Sequence, residues 1–391
     1  MDDSSLKKNL PYILLFILLI PCWGIAWKPG GDLTVYYKAS TWLQNDWVSK
    51  LYSNNAEIGN FFYGPFGLAL LKPLSILSFS NANLLWLLLQ TVAYLFFWKN
   101  LFLIFPELLN PKKLSLFLLA WIVSIKPIHA SFQSHNVQLM FAALLTSSQL
   151  SNSSQNTTQQ NIGGAIVTLL SSIKVYPWFL AIYYFIHSKK AFRVGLIFGG
   201  VISLLVPLFV FGIRTGVKLP IEFFENARKY HQVYDLAKDV VSLSLPSLLA
   251  SWLPQSLLNL GAIGITVGSI SLLFFSWIIL NSKKITSDKE RYFWTFAWSM
   301  MGLLNSTTRP DYFIYFVPAF VSLSLLIQHQ KQKRIFHLGL VISVLLISFI
   351  TEWTLGSREL THYLEGLRVP VLGILLLCLM QFLALRNTLR A

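Results

Sequence analysis

Acidic side chains are scarce. Of 391 residues only 16 are Asp or Glu against 31 Lys or Arg, and charged residues of both signs make up 12%. That is roughly half the charged fraction of an average soluble domain, so the chain lacks the surface that a water-soluble enzyme presents. The two cysteines, Cys22 and Cys378, lie in separate apolar runs, and neither a disulfide framework nor a thiolate metal site can be built from them. The seven histidines show no ligand spacing, with His129 and His135 six apart, so no metal triad is expected. Phosphate-cradling glycine loops, the dinucleotide fingerprint and the nucleophile elbow are missing too, which argues against use of cytosolic nucleotides. Without a soluble domain to carry a basic surface, no nucleic-acid partner is expected. No repeat of fixed period marks a solenoid.

What the chain has is hydrocarbon. Hydrophobic residues make up 54% and the mean hydropathy is +0.58. Runs of about 17 to 25 apolar residues recur from Leu10 to Leu385, each long enough to cross a layer of about 30 Å as a helix. The expected fold is an all-α polytopic membrane protein of about twelve spans, near residues 10–27, 61–79, 83–105, 114–130, 136–150, 162–188, 193–213, 259–281, 292–306, 312–328, 335–352 and 366–386. Two of these are interrupted, 61–79 by Lys72 and Pro73 and 162–188 by Lys174 and Pro177. Each reads as a broken or re-entrant helix.

Lys and Arg accumulate in short cytoplasmic loops. Here Lys7 and Lys8 precede the first run, Arg386 and Arg390 follow the last, and Lys189, Lys190, Arg193, Lys283, Lys284, Lys289, Arg291, Lys331, Lys333 and Arg334 separate later ones. Both termini therefore read as cytoplasmic, and the hydrophilic stretches 28–60 and 214–258 as extracytoplasmic loops of one domain spanning 1–391. The first run reads as a retained anchor, because Trp27, Lys28 and Pro29 follow it instead of small residues. Val35, Ala39, Leu43 and Trp47 in one loop, and Phe223, Phe224, Ala227 and Tyr230 in the other, are spaced for interfacial helices. The uncharged segment 151–161 is expected to be a solvated loop.

Polar groups near membrane depth are costly, so each is a candidate for function. Asp32 follows the first run in KPGGDLTVYY, where Gly30 and Gly31 allow a sharp turn. It either serves a site or caps a helix starting near Leu33. Lys174, in SSIKVYPWF, must snorkel, pair with an acid or face a wet cavity that Pro177 opens. Arg309 and Asp311, in NSTTRPDYF, either neutralise each other or meet a ligand. Two cations and two carboxylates near one membrane face suit a ligand with a phosphate and a hydroxyl. Tyr36, Tyr37, Phe61, Phe62, Tyr63, Tyr176, Trp178 and Tyr312 flank these charges, although interfacial belts use the same residue types.

In this order the residues resemble glycosyltransferase family 87, integral membrane mannosyltransferases of the GT-C fold class that use polyprenyl-phosphate mannose. The family's early Asp and V-Y-Y-x-A are matched by Asp32, Val35, Tyr36, Tyr37 and Ala39. Its F-x-Y-P-P-F element is matched by Phe61, Tyr63, Pro65 and Phe66, with Gly64 replacing the first Pro, and Pro73 stands in the Leu/Pro-rich span that follows. His135, Asn136, Val137 and Gln138 resemble its G-Q-x-N element with the Gly lost. Lys174, Tyr176 and Pro177 keep its K-x-Y-P. The N-Q-S-L element survives only as Ser242 to Leu245, and the late histidine-rich element gives way to Asn305 through Tyr312.

The resemblance implies a GT-C-type bundle in the plasma membrane that moves a hexose, mannose by the family's habit, from a polyprenyl-phosphate donor to an extracytoplasmic lipid or glycan acceptor, with inversion. It implies Asp32 as base, and the need for cations on the donor phosphate makes Lys174 and Arg309 the candidates to bind it. Tyr36, Tyr37, Tyr63, Asn136, Gln138, Tyr176, Ser244 and Asp311 would surround the substrates, with Asp311 as a reserve base or the partner of Arg309. Since lysine and arginine already supply positive charge, no cofactor or divalent cation is required, though the residues leave room for one. The rival readings are a lipid or glycan transporter, which would bury ionisable groups within several spans, and a ligase for surface polysaccharide.

Overall fold

The computed structural model of the chain describes residues 3–44, 51–52, 63–233, 242–252, 260–281, 284–305 and 308–390. Among these it contains helices and no strand, the outcome that hydrocarbon favours, because a helix satisfies every backbone N–H and C=O within its own segment. Among the described residues seven helices are long and apolar enough to cross a membrane: Asn9–Ala26, Phe79–Ile104, Pro111–Ser134, Lys190–Phe211, Ile263–Asn281, Pro310–Ile327 and Val369–Arg390. The apolar helices Pro65–Ile76 and Trp178–His187 are shorter. The chain is a multi-pass membrane protein.

It divides into two compact units. One comprises Ile17–Asn100 and His129–Tyr234, the other Met1–Phe16, Leu101–Ile128 and Asp235–Ala391. In chain order the helices are α1 (Asp3–Ala26), α2 (Gly31–Gln44), α3 (Pro65–Leu71), α4 (Phe79–Ile104), α5 (Leu114–Ser134), α6 (Gln138–Ser153), α7 (Thr157–Ile173), α8 (Trp178–His187), α9 (Lys190–Phe211) and α10 (Ile213–Val233). They continue with α11 (Leu245–Trp252), α12 (Leu260–Asn281), α13 (Ser287–Leu304), α14 (Val317–Ile327), α15 (Lys333–Ser348), α16 (Glu352–Leu355), α17 (Arg358–Gly366) and α18 (Val369–Arg390).

In the first unit the chain leaves α1 and turns into α2 at Gly31, whose φ is +55°. A Cβ there would stand 2.3 Å from the Ser134 carbonyl oxygen at the end of α5, so glycine is required by both its torsion and its neighbour. The α2 helix buries Leu33, Tyr36, Ala39, Ser40 and Leu43. Its apolar face thus starts at Leu33 and Tyr36 and not at Val35, while Trp47 lies outside the described residues. Of the second amphipathic set, Phe223 is buried and Phe224 is 65% exposed; the side chains of Ala227 and Tyr230 lie outside the described set.

The polar segment 151–161 is largely exposed, as its composition implies, but only its middle is a loop. α6 runs to Ser153, and Asn156 caps α7, its Oδ1 accepting from Thr158 N at 2.9 Å and Gln159 N at 3.3 Å. Asn and Ser suit helix ends because their side chains replace missing backbone partners. α7 then packs on α9 through small residues: a Cβ on Gly164 would lie 2.1 Å from the Phe192 carbonyl oxygen, and one on Gly195 2.0 Å from that of Asn161. Close backbone approach of this kind joins helices in lipid, where burial alone gives little. The interrupted run 162–188 proves to be two helices, α7 and α8, with extended backbone at Lys174 between them. The other interrupted run is α3 followed by a 3-10 turn over Lys72–Ile76.

In the second unit Arg291 of α13 forms a fork on Glu107, at 2.8 and 3.1 Å. Burial alone would raise the Glu107 carboxyl, but the hydrogen bonds and charge of Arg291 hold it below its ordinary value. Arg368 is fully buried in the turn before α18 and donates to Ser251 Oγ of α11 at 3.2 Å.

Candidate active site

Asp32 sits in the first turn of α2, half-buried. Its Oδ2 accepts from Asn136 Nδ2 at 2.7 Å and from the Tyr36 hydroxyl at 3.3 Å. The Tyr36 hydroxyl is also in hydrogen-bond contact with that of Tyr63. With the Tyr36 proton directed at the carboxylate, Tyr63 must be the donor to Tyr36, because each phenol has one proton to give. The Tyr63 ring in turn lies under the Lys174 ammonium, 4.7 Å from Nζ to the ring centroid. That distance is a cation–π contact, so carboxylate, two phenols and ammonium form one connected row.

A second path joins the same two ends. Asn136 Oδ1 accepts from the Gln138 N–H at 3.2 Å, and Gln138 Oε1 accepts from the Tyr176 hydroxyl at 2.5 Å. Tyr176 is two residues beyond Lys174. The loop carrying Asn136 is held from α4, where Trp86 Nε1 donates to the His135 carbonyl at 2.8 Å and Gln90 Nε2 donates to the carbonyls of Ser131 and Asn136 at 2.7 and 3.2 Å. The imidazole of His135 reaches the Ala26 carbonyl at 3.1 Å. Burial pushes that imidazole below its ordinary value, against the opposing pull of its backbone partners and of the Asp32 charge. Neutral His135 therefore ties the end of α1 to the loop that presents Asn136.

Seven of the expected site residues, Asp32, Tyr36, Tyr63, Asn136, Gln138, Lys174 and Tyr176, thus meet in the first unit. Tyr37 does not join them: its hydroxyl donates to the Leu77 carbonyl at 2.9 Å and its ring packs on Phe79. Phe61 and Phe62 lie outside the described residues.

Ser244, Arg309 and Asp311 belong to the second unit. There the Leu243 N–H donates to the Thr308 carbonyl at 2.5 Å, which sets the segment 242–245 beside the one that begins the 3-10 turn Pro310–Phe316. Ser244 is fully buried, its N–H bonded to Ser247 Oγ at 3.0 Å. Asp311 is buried in the first turn of the 3-10 segment, and the Arg309 carbonyl accepts from Tyr312 N–H at 2.9 Å. The same unit holds a lysine that sequence reasoning passed over. Lys126 of α5 donates to the Ile350 carbonyl at 2.7 Å and pairs with Glu365 at 3.4 Å. Its signal was a lysine directly before a proline inside an apolar run, much as at Lys174. Among the described residues no group of His, Cys, Asp and Glu is placed to hold a metal ion.

The family model of glycosyltransferase family 87 matches residues 61–307, well over half of the chain. The chain belongs to glycosyltransferase family 87. It is accordingly a membrane glycosyltransferase, and its chemistry calls for a sugar donor and an acceptor in the membrane. Compared with curated proteins, the chain has no match. The stretch matched to family 87 contains Tyr63, Asn136, Gln138, Lys174, Tyr176 and Ser244, while Asp32, Arg309 and Asp311 lie outside it.

Two of the departures from the resembled elements have a structural reading. His135, where the family has Gly, stands at φ +53°, the left-handed region that glycine occupies without cost. Gly64, where the family has Pro, donates its N–H to the Ile173 carbonyl at 2.8 Å, and a Cβ there would come within 2.0 Å of the Ser172 oxygen.

Proposed function

We propose that this protein is a GT-C-type transferase that moves a hexose, mannose by family resemblance, from a polyprenyl-phosphate donor to an extracytoplasmic lipid or glycan acceptor, with inversion. The observation that carries the reading is the row Asp32, Tyr36, Tyr63, Lys174. Asp32 is the base: its carboxylate accepts hydrogen bonds and can accept the proton of an attacking hydroxyl. Lys174 meets the negative charge that grows on the phosphate as the sugar–oxygen bond breaks through an oxocarbenium-like state. The two tyrosines between them hold base and cation in a fixed relation, and Asn136 orients the carboxylate from the other side. Tyr176 and Gln138 border the same space and contact the substrates. By the need for cations, Arg309 is a further ligand of the donor phosphate, and by the family resemblance Asp311 and Ser244 are further substrate contacts. No divalent cation is required, since the phosphate has cationic partners.

In the plasma membrane both termini face the cytoplasm, and the whole chain acts as one catalytic domain. The bundle then has about twelve crossings, the seven long helices among them, while α3 and its 3-10 turn dip in from the outer side. The test is transfer of labelled mannose from polyprenyl-phosphate mannose in membranes containing the protein. Product that depends on Asp32 supports the proposal. Transfer of another monosaccharide would keep the mechanism and change the donor, whereas movement of intact lipid across the bilayer without sugar transfer would make the protein a transporter.

A further inference from the structure

Away from the Asp32 network, the second unit carries a cavity of about 700 Å³ at one common end of α13, α14, α15 and α18. Lys289, His329, Lys331 and Arg390 line it, with Phe336 as an apolar wall, and no Asp or Glu is among the described residues that do. The volume falls within the roughly 300–1,000 Å³ typical of small-ligand sites. Basic side chains gathered around one void repel each other unless an anion shares it. The walls are fixed in place: Lys289 Nζ donates to the Thr388 carbonyl at 3.3 Å, and Gln330, itself buried, accepts from Asn387 Nδ2 at 2.8 Å. These bonds hold the last turn of α18 against α13 and against the turn between α14 and α15.

A second feature says what kind of anion. The helix α15, whose buried Phe336 walls the cavity, carries exposed Ile335, Leu338, Ile342 and Leu345 on another face, with spacings of three, four and three residues that keep them in line on a helix. Such a face meets acyl chains, which puts the basic cavity at the end of a lipid-facing helix, where phospholipid headgroups lie. We infer that this cavity binds the phosphate headgroup of an anionic phospholipid. Basic pockets between membrane helices hold such headgroups by charge and hydrogen bonding. In the orientation proposed above the lipid belongs to the cytoplasmic leaflet. Its binding depends neither on that orientation nor on sugar transfer, so the two proposals fail separately.

The experiment titrates the detergent-purified full chain with short-chain phosphatidylglycerol, the matching phosphatidylcholine, and inorganic phosphate, reading bound lipid by native mass spectrometry. The expected result is phosphatidylglycerol binding at least tenfold tighter than phosphatidylcholine, with inorganic phosphate competing only weakly. The triple variant Lys289→Gln, Lys331→Gln, Arg390→Gln should lose at least tenfold in phosphatidylglycerol affinity. Lys331→Gln alone, at an exposed side chain, should lose about threefold and serves if the triple variant does not fold. Equal affinities for the two lipids, or unchanged phosphatidylglycerol binding in both variants, would overturn the inference. Inorganic phosphate binding as tightly as the lipid would overturn it too, by making this a site for soluble anions.

Discussion

Gly64 donates its backbone N–H to the carbonyl of Ile173 at 2.8 Å. That one bond fastens the residue after Tyr63 to the residue before Lys174, and so holds the aromatic ring beneath the ammonium. It also explains why this chain has glycine where family 87 has proline. Proline would remove the donor, and any side chain would press on the Ser172 carbonyl.

Restoring the family residue should therefore harm the protein. Gly64→Pro is expected to cost about 1–3 kcal/mol from overpacking, and about 1–3 kcal/mol more for the hydrogen bond it removes. Gly64→Ala incurs the first cost only. Thermal unfolding in detergent measures both, and a Gly64→Pro protein as stable as the parent would show that the strand-like contact with Ile173 is not made.

Asp32→Asn should lower sugar transfer by roughly 10²–10⁴-fold, the usual contribution of a positioned general base. The amide has nearly the same shape, so folding and membrane insertion should be kept. Asn136→Ala, which removes the 2.7 Å donor to Asp32, should give a smaller loss. Initial rates on membranes with matched protein amounts test the pair. Near-normal turnover by Asp32→Asn takes the base role away from this residue.

Lys174→Ala should weaken use of the lipid-phosphate donor by about 1.5–3 kcal/mol, the value of a hydrogen bond to a charged group, or roughly ten- to hundredfold in KM. Lys174→Arg keeps the charge above the Tyr63 ring and should recover part of it. If Lys174→Ala instead lowers protein yield and leaves the donor KM alone, the lysine is a packing element of the α7–α8 break.

His135 makes stability depend on pH in a stated direction. Its imidazole is held below the ordinary value of 6.5 by burial, so on acidification the unfolded chain takes up a proton before the folded one does. This contribution is complete above about pH 6.5 and is lost as pH falls toward the depressed folded value. His135→Asn tolerates the left-handed backbone and does not titrate. The melting temperature of the parent should drop more between pH 7.5 and 5 than that of the variant, and parallel curves would refute the assignment.

How much of this was legible in the residues depends on the range over which each signal acts. The interruption at Lys174 and Pro177 could be read directly, because a proline and an intramembrane charge act on their own turn of helix. Segment 151–161 is ambiguous in sequence: polar composition marks helix ends as well as loops, and only the capping bonds of Asn156 tell the two apart. The start of the stripe on α2 is ambiguous too, since Val35 and Tyr36 are both apolar enough to face inward. At Lys126 the setting before Pro127 resembles that of Lys174, and only packing shows its pairing with Glu365.

Sequence alone determined that the protein is helical, crosses a membrane repeatedly and carries family 87 elements, because hydropathy and short motifs are properties of consecutive residues. Tertiary structure alone decided that Asp32 reaches Lys174 through Tyr36 and Tyr63, that Tyr37 turns away to Leu77, and that Asn136 and Gln138 close a second path. Those contacts join helices remote in sequence, and a hydrogen bond of about 3 Å exists only once packing has set both partners.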